Sequence, residues 1–455
     1  MISNDHKQIT VDSDIIYYNI LMTSKHNEFF SLAEYDVTLT QAIIDNPSDY
    51  YLSVIRFSVD GSTIPIFICP VIPDPITPTN VNNTPFVITM NYLGITYSTN
   101  LQFIPHNNTY QPAPPGVGYQ DFSTSYYYVY YYTQFLRMIN NGFTLLISQI
   151  VAANPGLESG IPIPYVIYEG GDAINGTDIV SLVIPNVLSP DPAYSGVNLY
   201  QTQYYQSTFI SEGVTYYNNT PMYGPYVAGP PTTGQPPGTI NILMNPQLYT
   251  FLDGIDSFLL FGGLNTQFLI LVNDQLNNYY YPPQNNYNTP ATQTALSFQY
   301  ENSTFPVILP TIYTVAPIWF KFTQQYNIIE KWSTLSSIVF ITQSMPVQVE
   351  YIPSTNFHSI TPNTQNSTSS SFRSMLTDFI PPSDSPRSRY IYNPTGPYRL
   401  ISLKSNQPLN RIDLKIYFSD QYQKLYPLYI PFNQSNSIKL MFMKKSLVKY
   451  NKLLS

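Results

Sequence analysis

The sequence predicts an all-β chain: antiparallel sheets packed as a β-sandwich or jelly roll, with one or two short helices and long loops rich in Pro, Asn and Tyr. Three observations carry this. Short runs of apolar, β-branched and aromatic residues recur along most of the 455 residues and are cut by Pro, Asn and Gly, the pattern of strands between turns. Between residues 373 and 443 six such runs follow one another at regular spacing, as in an antiparallel sandwich or jelly roll. Only one segment has a clear helical period.

Taken in order, YYLSVIRFSV (50–59) alternates, with Leu52, Val54 and Ile55 close together and Arg56 exposed. Asp60-Gly61 is a hairpin turn signal, so TIPIFICPVIP (63–73) is expected to return beside it. PFVITMNYL (85–93) and ITYSTNLQF (95–103) form a second pair. After a Pro, Gly and Asn loop comes SYYYVYYYTQF (125–135), with six tyrosines in the seven positions from Tyr126 to Tyr132. Tyrosine is a moderate helix former, so the run is expected as an extended entry with alternate rings on opposite faces. Phe135, Ile139, Phe143, Leu146 and Ile150 then share one face of a helix expected over 134–152. Asn154-Pro155-Gly156 ends it.

Further strands are expected at IPYVIYE (163–169), DIVSLVIP (178–185), TINILMN (239–245), DSFLLFG (256–262), QFLILVN (267–273) and SSIVFITQ (336–343), with a short helix over 323–337. The closing six are RSMLTDFIP, RYIYNP, YRLISLKS, RIDLKIYFSD, LYPLYIPF and SIKLMFM. The organisation expected is an N-terminal arm at 1–45 and a β-rich body at 46–360. An inserted Pro-rich, aromatic loop region at 189–238 interrupts the body. A low-complexity linker follows at 361–371, then the closing strand block at 372–443 and a basic tail at 444–455.

Charge is sparse, at 10% of residues against about 25% in an ordinary soluble domain. No Asp, Glu, Lys or Arg occurs between Asp74 and Asp121, or between Glu212 and Asp253. Tyr is enriched at protein interfaces because it offers rigid area with a polar tip. Much of this neutral surface is therefore expected to meet other protein, against the alternative that the composition reflects an AT-rich genome. The packed face between subunits is assigned to Tyr126, Tyr128, Tyr130 and Tyr132 with Phe135 and Ile139. Net charge is −8, unevenly placed: residue 380 onward holds twelve Lys and Arg against three Asp, leaving −17 on the rest. The basic tail, through Lys444, Lys445, Lys449 and Lys452, is expected to dock on an acidic protein surface or on nucleic acid.

Several chemistries find no support. Cys69 is the only cysteine, so no intrachain disulfide forms. FLLFGGLNTQFLILV (258–272) is too short and too interrupted for a membrane span, and MISNDHKQITVDSD does not read as a secretory signal. The four histidines are scattered, and no phosphate-binding glycine loop occurs. Glu169, Asp172, Asn175 and Asp178 are spaced by three but depart from the EF-hand pattern, so a turn-rich loop is preferred to a Ca²⁺ site. No catalytic, cofactor or metal residues are assigned. The competing reading from another class is a carbohydrate- or receptor-binding β-sandwich acting through the loops at 189–238 or 275–290.

LTDFIP (376–381) and RYIYNPTGPYRLISLKSNQPLNRIDLKIYFSDQYQKLYPLYIPFNQSNSIKLMFMKK (389–445) resemble the closing segment of capsid proteins from polinton-like viruses and virophages. NPSDYYLSVIRFSVDGSTIPIFI (46–68) and WSTLSSIVFITQSMPVQVEY (332–351) are similar to other parts of such proteins. The resemblance implies a jelly-roll virion component with no enzymatic role and no cofactor. Its implied partners are copies of itself (a pentamer for a penton, a trimer for a major capsid protein), other capsid proteins, and packaged DNA or an acidic capsid surface through the tail. The penton or minor capsid type is preferred, with a double jelly-roll major capsid protein as the alternative.

Overall fold

The strand Tyr50–Asp60 takes its neighbours from the far end of the sequence: Ser435–Lys444 on one side and Arg389–Tyr392 on the other, all antiparallel. This computed structural model describes residues 14–24, 30–72, 82–105, 125–157, 161–169, 178–186, 199–200, 204–211, 214–221, 239–260, 266–272, 279–280, 295–300, 303–308, 318–328, 332–333, 335–348, 350–352, 373–381, 389–393, 399–420 and 424–448. The chain divides into two units. The first comprises 1–67, 121–125 and 334–455, and the second 68–120 and 126–333.

The first unit is a sandwich of two antiparallel sheets. One runs Ile15–Thr23, Ser435–Lys444, Tyr50–Asp60, Arg389–Tyr392, with Ile401–Ser402 also on Tyr50–Asp60. The other runs Glu350–Ile352, Arg373–Phe379, Ser337–Thr342, Arg411–Ser419, Leu425–Pro427, with Glu34–Thr38 also on Arg411–Ser419. Alternation along each strand sends one set of side chains inward. Phe57 meets Phe340 and Phe379 of the opposite sheet at centroid separations of 4.9 and 5.0 Å. A buried carboxylate fixes the turn after Ser337–Thr342: Asp413 accepts from Thr342 Oγ1 at 2.6 Å, Gln343 N at 2.6 Å, Ser344 N at 2.9 Å and the Ser344 hydroxyl. Burial pushes the Asp413 carboxyl up, and these donors outweigh it, leaving it below the ordinary value.

In the second unit, Asn83–Tyr92 and Ile95–Gln102 form a hairpin closed by Leu93 and Gly94, both at positive φ. That is the backbone a tight two-residue turn needs. The hairpin continues into Asn241–Met244, Gln267–Ile270 and Ser257–Leu260. A second sheet holds Tyr165–Glu169, Ile179–Asn186, Ile318–Thr323 and Tyr279–Tyr280. The helix Tyr132–Ala153 touches both. At Gly142 it lies so close to the hairpin that a Cβ would fall 2.5 Å from Leu101 Cδ2. On its other side Asn140 imitates a strand partner: its Nδ2 donates to Val166 O at 3.1 Å, and its Oδ1 accepts from Val166 N at 2.7 Å.

Four expectations are corrected. Residues 15–23 and 34–38, assigned to an arm, are strands of the two sandwich sheets, because their partners lie near residue 415 and beyond. The chain after Gly61 does not return along Tyr50–Asp60; the Asp60 carboxylate accepts from Ser62 N at 2.9 Å and turns it away. The helix expected over 323–337 does not start at its first residues: Thr323 closes a strand and Gln324 is buried against the main chain of Val180 and Asp253, while Trp332 is helical. The strands of 372–443 are no separate block, since they divide between both sheets of the first unit and a short pairing of Tyr429–Pro431 with Phe30–Leu32. Within 189–238 the described residues include a hairpin, Tyr204–Ser211 with Val214–Pro221. The linker at 361–371 lies outside the described residues.

Candidate assembly surfaces

The tyrosine run is largely core. Tyr126, Tyr127 and Tyr128 are buried, with Tyr126 and Tyr127 packed around Phe103 at 5.8 and 5.3 Å. Cys69 N donates to Tyr127 O at 2.9 Å. Burial, with Tyr126 and Cys69 beside it, pushes the Tyr127 phenol well above its ordinary value. Tyr130 is half-buried, and its N donates to Gln134 Oε1 at 3.2 Å. Tyr131 stands exposed at the helix start. Tyr132 turns onto the helix and joins Trp332 and Tyr168 at 5.2 and 5.1 Å. Phe135 and Ile139 are fully buried, and Phe135 packs on Phe86, Phe251 and Trp332.

The expected single face of Tyr126, Tyr128, Tyr130, Tyr132, Phe135 and Ile139 therefore does not exist. The helix begins at Tyr132, so the register changes from period 2 to period 3.6 inside the run. A lack of charge marks a core as readily as an interface.

The tail is also partly committed to the fold. Lys444 pairs with Asp14 at 3.6 Å. Lys445 donates to Ser48 O at 2.6 Å and Leu403 O at 3.1 Å, and its ammonium lies 5.5 Å from the centre of the Tyr51 ring. These two are held inside the first unit rather than offered to a partner. Lys449 and Lys452 lie outside the described residues.

Exposed apolar side chains gather elsewhere. Ile15, Tyr17 and Leu21 project from one face of Ile15–Thr23, at the margin of its sheet. They were missed because the segment was read as an arm, although IIYYNILMT is nine uncharged residues rich in strand formers. Ile391 projects from the opposite margin and is 65% exposed. On the outward side of the other sheet, the cations are matched, Arg411 with Asp36 at 2.7 Å and Lys415 with Glu34 at 3.0 Å, and Asp378 of that sheet accepts from Arg399 of a connecting segment at 2.9 Å. Among the described residues no group of His, Cys, Asp and Glu suits a metal ion, and no helix is long and apolar enough to cross a membrane.

A strand sandwich closed by the two ends of the chain, with a second unit inserted between them, is the architecture of a jelly-roll structural subunit. Residues 16–444 match the family model described as Sputnik minor capsid protein V18/19, and the chain belongs to that family. An uncharacterized protein V18 of Sputnik virophage is 40% identical over 147 residues, 31% of this chain and 87% of the relative. Structural protein V19 of the same virophage is 29% identical over 218 residues, 46% of this chain and 84% of the relative. A chain in the 3.5 Å cryo-EM structure of Sputnik virophage superposes with TM-score 0.63 at 27% identity, covering 96% of this chain and all of that one. The crystal structure of mavirus penton protein shares the fold, with TM-score 0.50 at 13% identity over 95% of this chain and all of that one. The chain is a structural component of the virion capsid, with a non-enzymatic role in an assembly with other capsid proteins.

Proposed function

We propose that this chain is the penton subunit of its capsid and forms a homopentamer that closes the shell at its vertices. One observation carries the reading. The pairing of Tyr50–Asp60 with Ser435–Lys444 closes a single sandwich from the two ends of the chain, with the second unit inserted between them. A double jelly-roll major capsid protein instead sets two sandwiches in tandem. Likeness of fold to the mavirus penton protein supports the same choice. The test is the mass of the purified full chain by light scattering, together with its position in imaged particles. Five copies of the 51.8 kDa chain and density at five-fold vertices are expected. A trimer located in the facets overturns the proposal.

A further inference from the structure

On the outward face of the sheet containing Tyr50–Asp60, Lys439 and Arg56 are directly opposed cross-strand partners. Like charges placed this way are destabilising. Neither has a carboxylate partner among the described residues, whereas Arg411 and Lys415 of the opposite sheet both do. The Lys439 ammonium lies 4.5 Å from the centre of the Tyr17 ring. Tyr17 and Leu21 are 52% and 61% exposed on one flank. Ile391, whose cross-strand partner Ser58 lies two residues from Arg56, stands on the other flank. A repulsive pair inside an apolar surround becomes favourable when an anion is set against it and the apolar area is covered together. Leu21 and Ile391 offer nothing to a phosphate chain, so the face fits acidic protein rather than nucleic acid.

The same unit carries a matching surface. Asp45 and Asp49 are exposed at the two ends of the turn leading into Tyr50–Asp60, with no cationic partner among the described residues. The turn is held in shape: Asn46 Nδ2 donates to Asp49 Oδ2 at 2.7 Å, and Ser48 Oγ donates to Asn46 Oδ1 at 2.9 Å. Two identical basic faces brought together repel, whereas a basic face on the acidic turn of the next copy repeats head to tail, the kind of contact that closes rings. We propose that the face centred on Lys439 and Arg56, flanked by Tyr17, Leu21 and Ile391, docks the Asp45–Asp49 turn of a second copy of this chain. This rests on the self-assembly proposed above and adds which surfaces meet.

The experiment measures assembly mass against concentration for the full chain by sedimentation and light scattering. R56E alone, which gives Lys439 an opposite charge and leaves the fold at least as stable, is expected to move the assembly midpoint to about ten-fold higher concentration or beyond. R56E/K439E and D45K/D49K each lose assembly, and the quadruple variant carrying both pairs regains it because the two charges are exchanged. A wild-type chain that remains monomeric removes the assembly reading itself. Wild-type assembly matched by R56E overturns the docking face. Loss in both double variants without recovery in the quadruple overturns the Asp45–Asp49 turn as its occupant.

Discussion

Phe57 and Phe340 meet across the two sheets of the first unit with ring centroids 4.9 Å apart, each almost wholly buried. They come from sequence regions separated by the whole inserted unit, so their contact reports closure of the sandwich. Phe57 also packs on Phe379 and Tyr392, at 5.0 and 5.2 Å. F57A is expected to destabilise the first unit by about 3–5 kcal/mol, the cost of a large aromatic cavity. F57L, which keeps most of the volume, is expected to cost about 1 kcal/mol. Urea unfolding checks both, and equal losses for the two variants contradict the packing argument.

Asn140 holds the helix to the edge of Tyr165–Glu169 through both main-chain groups of Val166, which is fully buried. N140A leaves a buried donor and acceptor unmatched and is expected to cost about 2–4 kcal/mol. N140D sets a carboxylate against Val166 O, which raises the variant's folded pKa. Its deficit therefore grows as pH rises above about 4 and shrinks below it. Thermal melts of wild type and N140D at pH 4 and pH 7 measure this.

Asp413 is depressed below the ordinary carboxyl value: burial opposes the charge, and the donors from Ser344, Thr342 and Gln343 overcome it. Its contribution is complete above the unfolded value of about 4 and is lost as pH falls through the lower folded value. D413N is expected to cost about 2–3 kcal/mol at pH 7, with the gap to wild type narrowing at pH 3. A gap independent of pH contradicts the assignment.

Tyr18 and Tyr35 bridge the two sheets of the first unit through their hydroxyls, 2.8 Å apart. Burial, with Tyr18 beside it, pushes the Tyr35 phenol up to about 12. A raised folded value means that the stabilisation is present below the unfolded value of about 10 and is lost as pH rises through the folded one. Wild type is expected to lose stability relative to Y35F between about pH 10 and 12, as read by circular dichroism during alkaline titration. Parallel loss in both proteins contradicts the bridge.

Local pattern made several elements legible. The four, four, three and four spacing from Phe135 to Ile150 marked the helix, observed over Tyr132–Ala153. The adjacent runs 85–93 and 95–103 marked the hairpin observed as Asn83–Tyr92 and Ile95–Gln102. The six closing runs appear as strands, although the fifth is interrupted between Leu425–Pro427 and Tyr429–Pro431. The candidate docking face was less legible. Arg56 was read as exposed, but its opposition to Lys439 is a register between strands nearly the whole chain apart, and no local window contains it. Ile15, Tyr17 and Leu21 were hidden for the same reason, since Ile15–Thr23 has its partner at Ser435–Lys444.

By itself the sequence determined the strand-rich class, the position of the helix Tyr132–Ala153 and the resemblance to virophage capsid proteins, because periodicity and turn chemistry act over a few residues. Only the tertiary structure decided which tyrosines lie inside, which lysines are occupied and which strands share a sheet. Burial and strand register arise from contacts between distant segments, and an uncharged run suits a core and an interface equally until its neighbours are in place.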